Sequence, residues 1–325
     1  MKAIIPIAGK GTRTYPLSFA TPKPLLRIKG KPTLYYVTKI LKKFNIEKVV
    51  YVISPNLIES IDEIKKINNL KCDFVIQKKP LGLGDAILCA EEKVKKGKCL
   101  IVLGDSILDV DIKNFNKNKN YIGVFHHQDP RRFGIVVLDN NKIAQVEEKP
   151  EKPKTNLVIC GIYYLRKIEI LFSALREIEK RNLKTKGEFQ LTDAFKILLE
   201  KGEELYTLKV KKWLDTGTLD EILETHKKIL NKKEILEKKN IKNTKIIPPV
   251  WIDKNVNIEN SEIGPFVSIE TECKIKNSKI ENVLVYKGTK ILNSIIKKGI
   301  IGDYSVIENL KSEEIFITNK SKIIS

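Results

Sequence analysis

The chain has 325 residues, of which 42% are hydrophobic and 31% charged, and its formal net charge is +20. This length accommodates two domains, or one large domain with an appendage. No segment approaches the roughly 20 consecutive apolar residues of a membrane-spanning helix, and the N-terminus enters a strand pattern directly, without a signal peptide. The composition therefore argues against a membrane protein and predicts a soluble, cytoplasmic one.

The positive charge does not by itself indicate a nucleic-acid partner. Lysines supply 53 of the 60 basic residues and are spread along the whole chain, with no basic patch interleaved with aromatic residues. Such a surface favours solubility and the steering of anionic substrates. The five cysteines are scattered without metal-ligand spacing, which is typical of reduced residues in a cytoplasmic protein.

The first segment of the chain predicts an anion-binding loop. An apolar run, 3–8, is typical of a buried strand and ends in a loop built on Gly9 and Gly11. Glycines allow the backbone to approach a ligand and direct its N–H groups at an anion, and Arg13 and Lys23 add two cations. The spacing matches neither the phosphate-binding P-loop nor the dinucleotide motif G-x-G-x-x-G. A tight turn with two solvated cations is the alternative for the glycine pair alone.

The next elements alternate between strands and helices. Helices are predicted over 33–44 and 57–67, and strands over 48–53 and 72–77. KKPLGLGDAILCAEEKV predicts a Gly-containing loop that starts a helix, and CLIVLGDSIL predicts a continuous apolar strand that ends in Gly104-Asp105. This alternation indicates an open, mostly parallel, doubly wound sheet. Ligands of such sheets lie at the carboxyl ends of the strands, where the glycine loop, Gln77 and Asp105 fall.

From Tyr121 onward the pattern changes to short strands and turns. Residues 139–141 predict a hairpin turn. Helices are predicted over 168–181 and in GEFQLTDAFKILLEKG. A strand and a turn are predicted in LYTLKVKKWLDTGT. A helix over 219–239 leads to a linker that contains Pro248 and Pro249. We place the domain boundary between residues 240 and 241.

The region after the prolines has a different period. Apolar residues recur at steps of five to seven, with Gly, Asn, Ser and Lys in most of the gaps: Val250, Val256, Ile263, Ile269, Ile275, Ile280, Val285, Ile291, Ile296, Ile301 and Ile307. This spacing resembles the hexapeptide repeat of a left-handed parallel β-helix, and about three coils fit. Ordinary alternating strands are the alternative. An exposed end of such a solenoid favours self-association, so we expect a homo-oligomer.

Several motifs together resemble the sugar-1-phosphate nucleotidyltransferases, which make NDP-sugars from an NTP and a sugar 1-phosphate. G-x-G-T-R followed by P-K-P-L carries the resemblance, and LGD, EEKP and WLDTG follow in the family's order over about residues 1–230. GLGDA, GEFQLTDA and WLDTGT are most similar to the glucose-1-phosphate thymidylyltransferase and UTP-glucose-1-phosphate uridylyltransferase types. The resemblance implies a Rossmann-like α/β domain with a mixed sheet (1–240), followed by a short left-handed β-helix (241–325).

The resemblance also implies a role for individual residues. Arg13 would hold the β- and γ-phosphates, Lys23 the α-phosphate, and Lys149 the phosphate of the sugar. Asp105 and Asp215 would share one Mg²⁺. The nucleotide would contact Ala8, Gly9, Gly11, Thr12, Gln77 and Gly82, and the sugar would contact Gly134, Glu148, Gly161 and Trp213. Taken singly, each Asp could be a turn or capping residue and Lys149 a solvated lysine before a proline.

The expected reaction is attack by a sugar phosphate oxygen on the α-phosphorus of dTTP or UTP, with pyrophosphate leaving. Both partners are anions, so cations and a metal are needed to bring them in line. The sequence does not separate dTTP from UTP. Mannose-1-phosphate guanylyltransferase and a non-catalytic regulatory subunit remain alternatives. An additional acetyltransferase activity in the tail is disfavoured, because no histidine follows His226.

Overall fold

In the computed structural model of the chain, all of residues 1–325 are described. They form two compact units: Met1–Lys10 with Leu34–Leu214, and Gly11–Thr33 with Asp215–Ser325. The segment Gly11–Thr33 therefore belongs to the same unit as the C-terminal region. This division differs from the predicted boundary between residues 240 and 241, which stays a prediction about separable domains.

The chain up to Asp215 forms the following strands: β1 (Lys2–Pro6), β2 (Arg27–Ile28), β3 (Lys31–Pro32), β4 (Lys48–Ile53), β5 (Lys71–Ile76), β6 (Cys99–Val102), β7 (Ser106–Val110), β8 (Asn120–His126), β9 (Gly134–Asp139), β10 (Lys142–Glu148), β11 (Leu157–Leu165) and β12 (Leu205–Asp215). The α-helices are α1 (Thr33–Thr38), α2 (Ile61–Lys65), α3 (Leu83–Cys89), α4 (Glu91–Val94), α5 (Ile168–Lys180), α6 (Leu191–Glu200) and α7 (Leu219–Ile229). Short 3₁₀ helices span Thr12–Thr14, Leu17–Phe19, Lys23–Leu25, Lys39–Phe44, Pro55–Ser60 and Pro130–Arg132.

The first unit contains a mixed sheet with the strand order β5-β4-β1-β6-β11-β8-β12-β10-β9, and β7 pairs with β12. The strands β5, β4, β1 and β6 are parallel to one another, whereas β11 runs antiparallel to both β6 and β8. The predicted Rossmann-like α/β class is confirmed. Because β5, β1 and β6 are parallel, the residues that follow them lie at the same edge of the sheet.

Helical periodicity explains how the first unit's core forms. In α5, Leu171, Phe172, Leu175 and Ile178 recur every three or four residues, and all four side chains are buried. They join the core formed by the sheet and by α3 and α6. Burying such a side chain contributes about 1.5–3 kcal/mol, so α5 anchors the helical layer against the sheet.

Two predicted elements of the first unit differ from the structure. The helix predicted over 33–44 is α1 followed by a 3₁₀ helix, Lys39–Phe44, and the helix predicted over 57–67 is a 3₁₀ helix, Pro55–Ser60, followed by α2. The strand predicted to end in Gly104-Asp105 is β6: the backbone turns at Gly104, whose N–H donates to Pro6 O at 3.3 Å, and β7 begins at Ser106. The hairpin turn predicted at 139–141 is confirmed between β9 and β10.

The C-terminal region consists of short strands: β13 (Lys233–Ile235), β14 (Ile241–Lys242), β15 (Lys245–Ile246), β16 (Val250–Ile252), β17 (Asn257–Glu259), β18 (Glu262–Ile263), β19 (Val267–Ile269), β20 (Lys274–Lys276), β21 (Lys279–Ile280), β22 (Val283–Val285), β23 (Lys290–Leu292), β24 (Ile295–Ile296), β25 (Gly299–Ile301), β26 (Val306–Glu308), β27 (Lys311–Ser312), β28 (Ile315–Ile317) and β29 (Lys322–Ile324). Every third strand pairs in parallel, which gives sheets of six, six and five strands. These three faces of stacked strands are the arrangement of a left-handed β-helix, as predicted.

The predicted apolar repeat forms the interior of this β-helix. All eleven recurring positions are buried in one core. At one corner, five asparagines with positive φ lie one coil above another, and the side-chain amide of each of the first four donates to the next asparagine along the chain: Asn243, Asn260, Asn277, Asn293 and Asn309. Asparagine tolerates the left-handed backbone of this corner better than most residues.

The prediction placed the start of the β-helix too late and made it too short. Helix α7 ends at Ile229 instead of 239, because Leu230 is extended and β13 begins at Lys233. Pro248 and Pro249 form the corner between β15 and β16, not a linker. The sheets of five and six strands hold more than the predicted three coils. None of the helices combines the length and apolarity that crossing a bilayer requires.

Candidate active site

Ala8 and Gly9, at the start of the glycine loop, and Asp105 follow two paired strands at one edge of the first unit's sheet. A Cβ added to Gly104 would lie 2.3 Å from Ile7 Cγ2 and 2.9 Å from Pro6 O, so only glycine allows this approach. The close contact fixes Asp105, which follows β6, next to Ala8 and Gly9, which follow β1. The two strands are paired in parallel, as the prediction required.

Gly9 itself is exposed, and a Cβ added there would meet no atom within 4 Å. Its φ is not positive, so its backbone conformation is open to other residues. Neither packing within the chain nor backbone strain therefore requires a glycine at this position. Close approach of a bound ligand at Gly9 stays a prediction.

Gln77 is buried directly after β5, and its side chain organises the next loop. Its amide Nε2 donates to Gly82 O at 3.1 Å and to Asp85 Oδ2 at 2.6 Å. Gly82 has a φ of +123°, and a Cβ there would lie 2.6 Å from Phe189 O. Since Phe189 N also donates to Leu81 O at 2.9 Å, the loop before α3 is pinned to the segment before α6.

Three predicted sugar-site residues come together between β9, β10 and α6. Glu148 is nearly buried, and Thr192 Oγ1 donates to its Oε2 at 3.0 Å. A Cβ added to Gly134 would lie 3.2 Å from the same oxygen. Lys149 Nζ is 3.6 Å from Glu148 Oε1, and the lysine side chain is half exposed. The Glu148 carboxylate and the Lys149 ammonium group thus lie next to each other at the end of β10.

An aromatic cluster continues from these residues. Trp213 packs against the rings of Phe125, His127 and Phe133, with centroids 6.2, 6.2 and 5.0 Å away. The carbonyl of Phe133 accepts a hydrogen bond from Lys149 N at 3.1 Å. The indole Nε1–H of Trp213 is buried and has no partner within the chain. The structure therefore brings Trp213 close to Gly134, Glu148 and Lys149.

Gly161 lies elsewhere, beside the turn that carries Asp105. Its φ is +80°, at a bulge in the pairing of β11 with β8, and a Cβ there would lie 2.9 Å from Leu103 and from Ser106 Oγ. Gly161 O also accepts from Leu103 N at 2.8 Å. Glycine is needed here because the chain on both sides of Asp105 packs directly on it.

In the second unit, Gly11 shapes the segment that carries the two predicted phosphate-binding cations. Gly11 has a φ of +66°, and its carbonyl accepts hydrogen bonds from Thr14 Oγ1 at 2.7 Å and Ser18 Oγ at 2.8 Å. A Cβ at Gly11 would lie 3.3 Å from the Cβ of Lys23. Thr12 and Arg13 open the 3₁₀ helix that follows Gly11, and both are exposed.

Arg13 and Asp215 converge on Gly217 in the same unit. A Cβ added to Gly217 would lie 2.8 Å from Glu221 Oε2, 3.1 Å from Asp215 Oδ1 and 3.3 Å from Arg13 Nη2. Asp215 Oδ1 accepts from Gly217 N at 2.9 Å, and Thr225 Oγ1 donates to Asp215 O at 2.7 Å. The D-x-G motif thus holds a carboxylate in a defined position beside a guanidinium group.

The two aspartates fit the donor chemistry of Mg²⁺, which prefers oxygen ligands and takes one or two carboxylates together with substrate phosphates. No three His, Cys, Asp or Glu side chains lie close enough to form a complete ion site from protein alone. That Asp105 and Asp215 share one ion stays a prediction, as do the substrate contacts of the other site residues.

Sequence reasoning missed three residues at these positions. Thr192 holds Glu148, Asp85 accepts from Gln77, and Glu221 lies beside Gly217. Thr192 and Asp85 belong to the motifs GEFQLTDA and GLGDA, and polar residues in the first turn of a helix were the available signal. The pairing of Thr192 with Glu148 is not visible in the sequence because 43 residues separate them.

Comparison with known proteins places the chain in a family. The model of the nucleotidyl transferase family (NTP_transferase) matches residues 2–232. The chain belongs to this family. It is 36% identical to the bifunctional protein GlmU of Methanocaldococcus jannaschii over 71% of this chain and 55% of the relative. It is 27% identical to a glucose-1-phosphate thymidylyltransferase of Streptomyces antibioticus over 71% of this chain and 66% of the relative.

A solved structure agrees with the fold. A Bacillus anthracis protein, described as a candidate glucose-1-phosphate thymidylyltransferase in complex with sucrose, superimposes with a TM-score of 0.61 at 25% identity. The match covers 73% of this chain and 98% of that one. The chain spans about half to two thirds of the length of the curated relatives named above, and the family match stops close to the start of the β-helix.

Proposed function

We propose that this chain is a magnesium-dependent sugar-1-phosphate nucleotidyltransferase that uses UTP or dTTP, with glucose 1-phosphate as the leading acceptor. A sugar phosphate oxygen attacks the α-phosphorus of the NTP in line, and pyrophosphate leaves. The observation that carries the proposal is the convergence of Arg13 Nη2 and Asp215 Oδ1 on Gly217. A guanidinium for phosphate oxygens beside a carboxylate for a divalent ion is what a bound Mg–triphosphate requires.

Each cationic group has a separate task in this reaction. Arg13 binds the β- and γ-phosphates, Lys23 the α-phosphate, and Lys149 the phosphate of the incoming sugar. Their charges offset the repulsion between two anionic reactants, which is the main obstacle to phosphoryl chemistry. The Mg²⁺, held by Asp105 and Asp215, supplies further charge neutralisation when bound.

The sugar site is proposed around Glu148. Its carboxylate accepts hydrogen bonds from sugar hydroxyls, and Thr192 holds Oε2 in place by donating to it at 3.0 Å. Charge-assisted bonds to a fixed, nearly buried carboxylate discriminate between hydroxyl configurations. Trp213 supplies an aromatic surface and an indole N–H with no partner in the chain. Gly134 keeps side-chain bulk away from the ligand beside Glu148, whereas Gly161 packs against the turn that carries Asp105.

The nucleotide site is proposed around Gln77 and the glycine loop. Because Gln77 Nε2 donates to Gly82 O and Asp85 Oδ2, its Oε1 is the atom offered to the base. An acceptor there pairs with the N3–H of uracil or thymine, whereas cytosine has an unprotonated N3. Ala8, Gly9, Gly11, Thr12 and Gly82 contribute main-chain groups to the base and phosphates.

The decisive experiment is a matrix of five NTPs against several sugar 1-phosphates, read by pyrophosphate release with Mg²⁺ and with EDTA. We expect release only when NTP, sugar 1-phosphate and Mg²⁺ are all present, with UTP or dTTP preferred. Asp105→Ala and Asp215→Ala are expected to reduce turnover by at least about a hundredfold. Release without an acceptor sugar would contradict the proposal.

Other outcomes of the same matrix identify the alternatives. Turnover confined to GTP and mannose 1-phosphate would indicate a guanylyltransferase. Nucleotide binding without turnover for any pair would indicate a regulatory subunit. That the protein forms a homo-oligomer also stays a proposal, and light scattering on a sizing column tests it against the 37.2 kDa of one chain.

A further inference from the structure

The C-terminal part of the segment between the glycine loop and α1 contacts the β-helix. After Lys23 the chain forms a short hairpin of β2 and β3, in which Arg27 is opposite Pro32 and Ile28 is opposite Lys31. Lys23 begins the 3₁₀ turn Lys23–Leu25, and Leu26 N donates to Lys23 O at 3.2 Å. Arg27 is therefore only four residues from the predicted α-phosphate ligand, in rigid local structure.

Arg27 is the centre of a largely buried ion cluster with the β-helix. Its Nε donates to Glu270 Oε1 at 2.8 Å and Oε2 at 2.9 Å, and its Nη2 donates to Asp303. The guanidinium carbon lies 4.3 Å from the centroid of the Tyr286 ring. Glu270 Oε2 also accepts from Lys287 N at 3.2 Å. One arginine from the loop segment thus pairs with two acids of the β-helix, the buried Glu270 and the partly exposed Asp303.

The main chain of Arg27 is fixed as tightly as its side chain. Tyr286 Oη accepts from Arg27 N at 2.9 Å and donates to Arg27 O at 3.0 Å. Tyr286 is fully buried, so these bonds are sheltered from water. One phenol therefore satisfies both backbone groups of this residue, and the hairpin cannot shift without breaking both bonds.

Two further contacts extend the connection toward Lys23 and toward the hairpin turn. Asn319 Nδ2 donates to Thr21 Oγ1 at 3.2 Å, and Asn319 Oδ1 accepts from Asp303 N at 2.9 Å. The cluster therefore reaches Thr21, two residues before Lys23. At the turn, Gly30 has a φ of +66° and lies so close to Trp251 that a Cβ would be 2.5 Å from the indole ring.

We propose that Arg27, clamped by Glu270, Asp303 and Tyr286, is a positioning residue through which the β-helix holds Arg13 and Lys23 ready for the triphosphate. The inference rests on the proposed function and gives the tail a role in the NTP-binding step. Cationic side chains that are already in position bind the triphosphate without the entropy cost of ordering them. Displacing such groups by about an ångström can reduce activity by as much as a hundredfold.

The test compares full-length Tyr286→Phe and Arg27→Lys with Tyr164→Phe. Tyr164 provides the matched change in the other unit, since its Oη donates to one carbonyl, Lys117 O, at 3.0 Å. We expect the first two variants to raise the KM for the NTP about tenfold, with the KM for sugar 1-phosphate unchanged. Hydrogen exchange of amides 12–26 in the nucleotide-free protein should accelerate in the same two variants. Tyr164→Phe should match wild type in both measurements.

Each outcome decides between the inference and the proposed function. An active wild type whose Tyr286→Phe and Arg27→Lys variants keep the NTP KM and the exchange rates would overturn the inference and leave the function standing. Equal rises in both KM values, in step with a lower melting temperature, would show a purely structural role and also overturn it. A wild type that is inactive across the whole substrate matrix would overturn the function, and the inference with it.

Discussion

Neither packing nor backbone conformation requires a glycine at position 9, so a substitution there tests whether a ligand approaches the backbone. A methyl group at this position would point into open space, and φ is not positive. We expect Gly9→Ala to leave the melting temperature within about 1 °C of wild type, because no contact in the chain is lost or strained. The KM for the NTP should rise at least about tenfold, because the added methyl group blocks the backbone from the phosphates. Steady-state kinetics with both substrates and a thermal scan measure the two effects. A lower melting temperature with an unchanged KM would show that Gly9 serves the fold.

His226 makes the stability of the second unit sensitive to acid. The side chain is fully buried in α7, where its Nε2 is 2.7 Å from Ser268 Oγ, and Nδ1 has no partner. Burial lowers the pKa of His226 to about 3 from the ordinary 6.5. The unfolded chain therefore takes up a proton below about pH 6.5 that the folded protein does not, and stability falls as the pH drops from there toward 3.

The predicted size of this effect follows from the linkage relation. Between pH 7 and pH 5 the histidine should remove about 2 kcal/mol from the free energy of unfolding. His226→Gln keeps a polar group for Ser268 and cannot titrate. The loss of unfolding free energy between pH 7 and pH 5 should therefore be about 2 kcal/mol smaller in this variant than in wild type. Urea unfolding at pH 7 and pH 5 measures the difference. The exposed His126→Gln is the control and should keep the wild-type dependence; an identical dependence in His226→Gln would refute the assignment.

At the scale of elements, the first turn of α6 and the end of β10 act together on the proposed sugar site. Thr192→Val preserves volume and removes the hydroxyl that donates to Glu148 Oε2. We expect the KM for sugar 1-phosphate to rise about tenfold and the KM for the NTP to stay constant, since a buried carboxylate that loses a donor is less well oriented.

Thr38→Val is the matched control for that change. The hydroxyl of Thr38 is also buried, but it donates only to Tyr35 O within its own helical turn, at 3.0 Å. This variant should keep both KM values. Thr192→Val kinetics that are indistinguishable from Thr38→Val would exclude Thr192 as a positioning residue for Glu148.

Elements with strong local signals were predictable, and those defined by distant partners were not. The strand over 48–53 follows from a continuous apolar run, and the helix starting at 168 follows from apolar residues at helical spacing; both are confirmed. The β-helix period was visible because each buried Ile or Val recurs within its own coil. Its start was placed too late because the preceding helix was predicted to run to 239, whereas α7 ends at Ile229. Pro248 and Pro249 are typical of linkers, but here they form a corner between β15 and β16. Arg27 carries no sequence signal at all, since its partner Glu270 is 243 residues away.

At the scale of the whole molecule, the +20 charge matters because both proposed substrates are anions. A positive field raises the rate at which an anion meets the protein, and salt screens that field with a Debye length of about 30 Å at 0.01 M and 8 Å at 0.15 M. We expect the association rate constant of a fluorescent UTP analogue to fall about tenfold between these ionic strengths.

The dissociation rate constant should change far less, because contacts within the site are screened less than long-range attraction. Stopped-flow mixing at several salt concentrations measures both constants. The corresponding nucleoside, which lacks the phosphates, is the control and should associate at a rate independent of salt. Equal salt dependence for nucleotide and nucleoside would mean that the lysine-rich surface serves solubility alone. The +20 charge would then have no part in substrate capture.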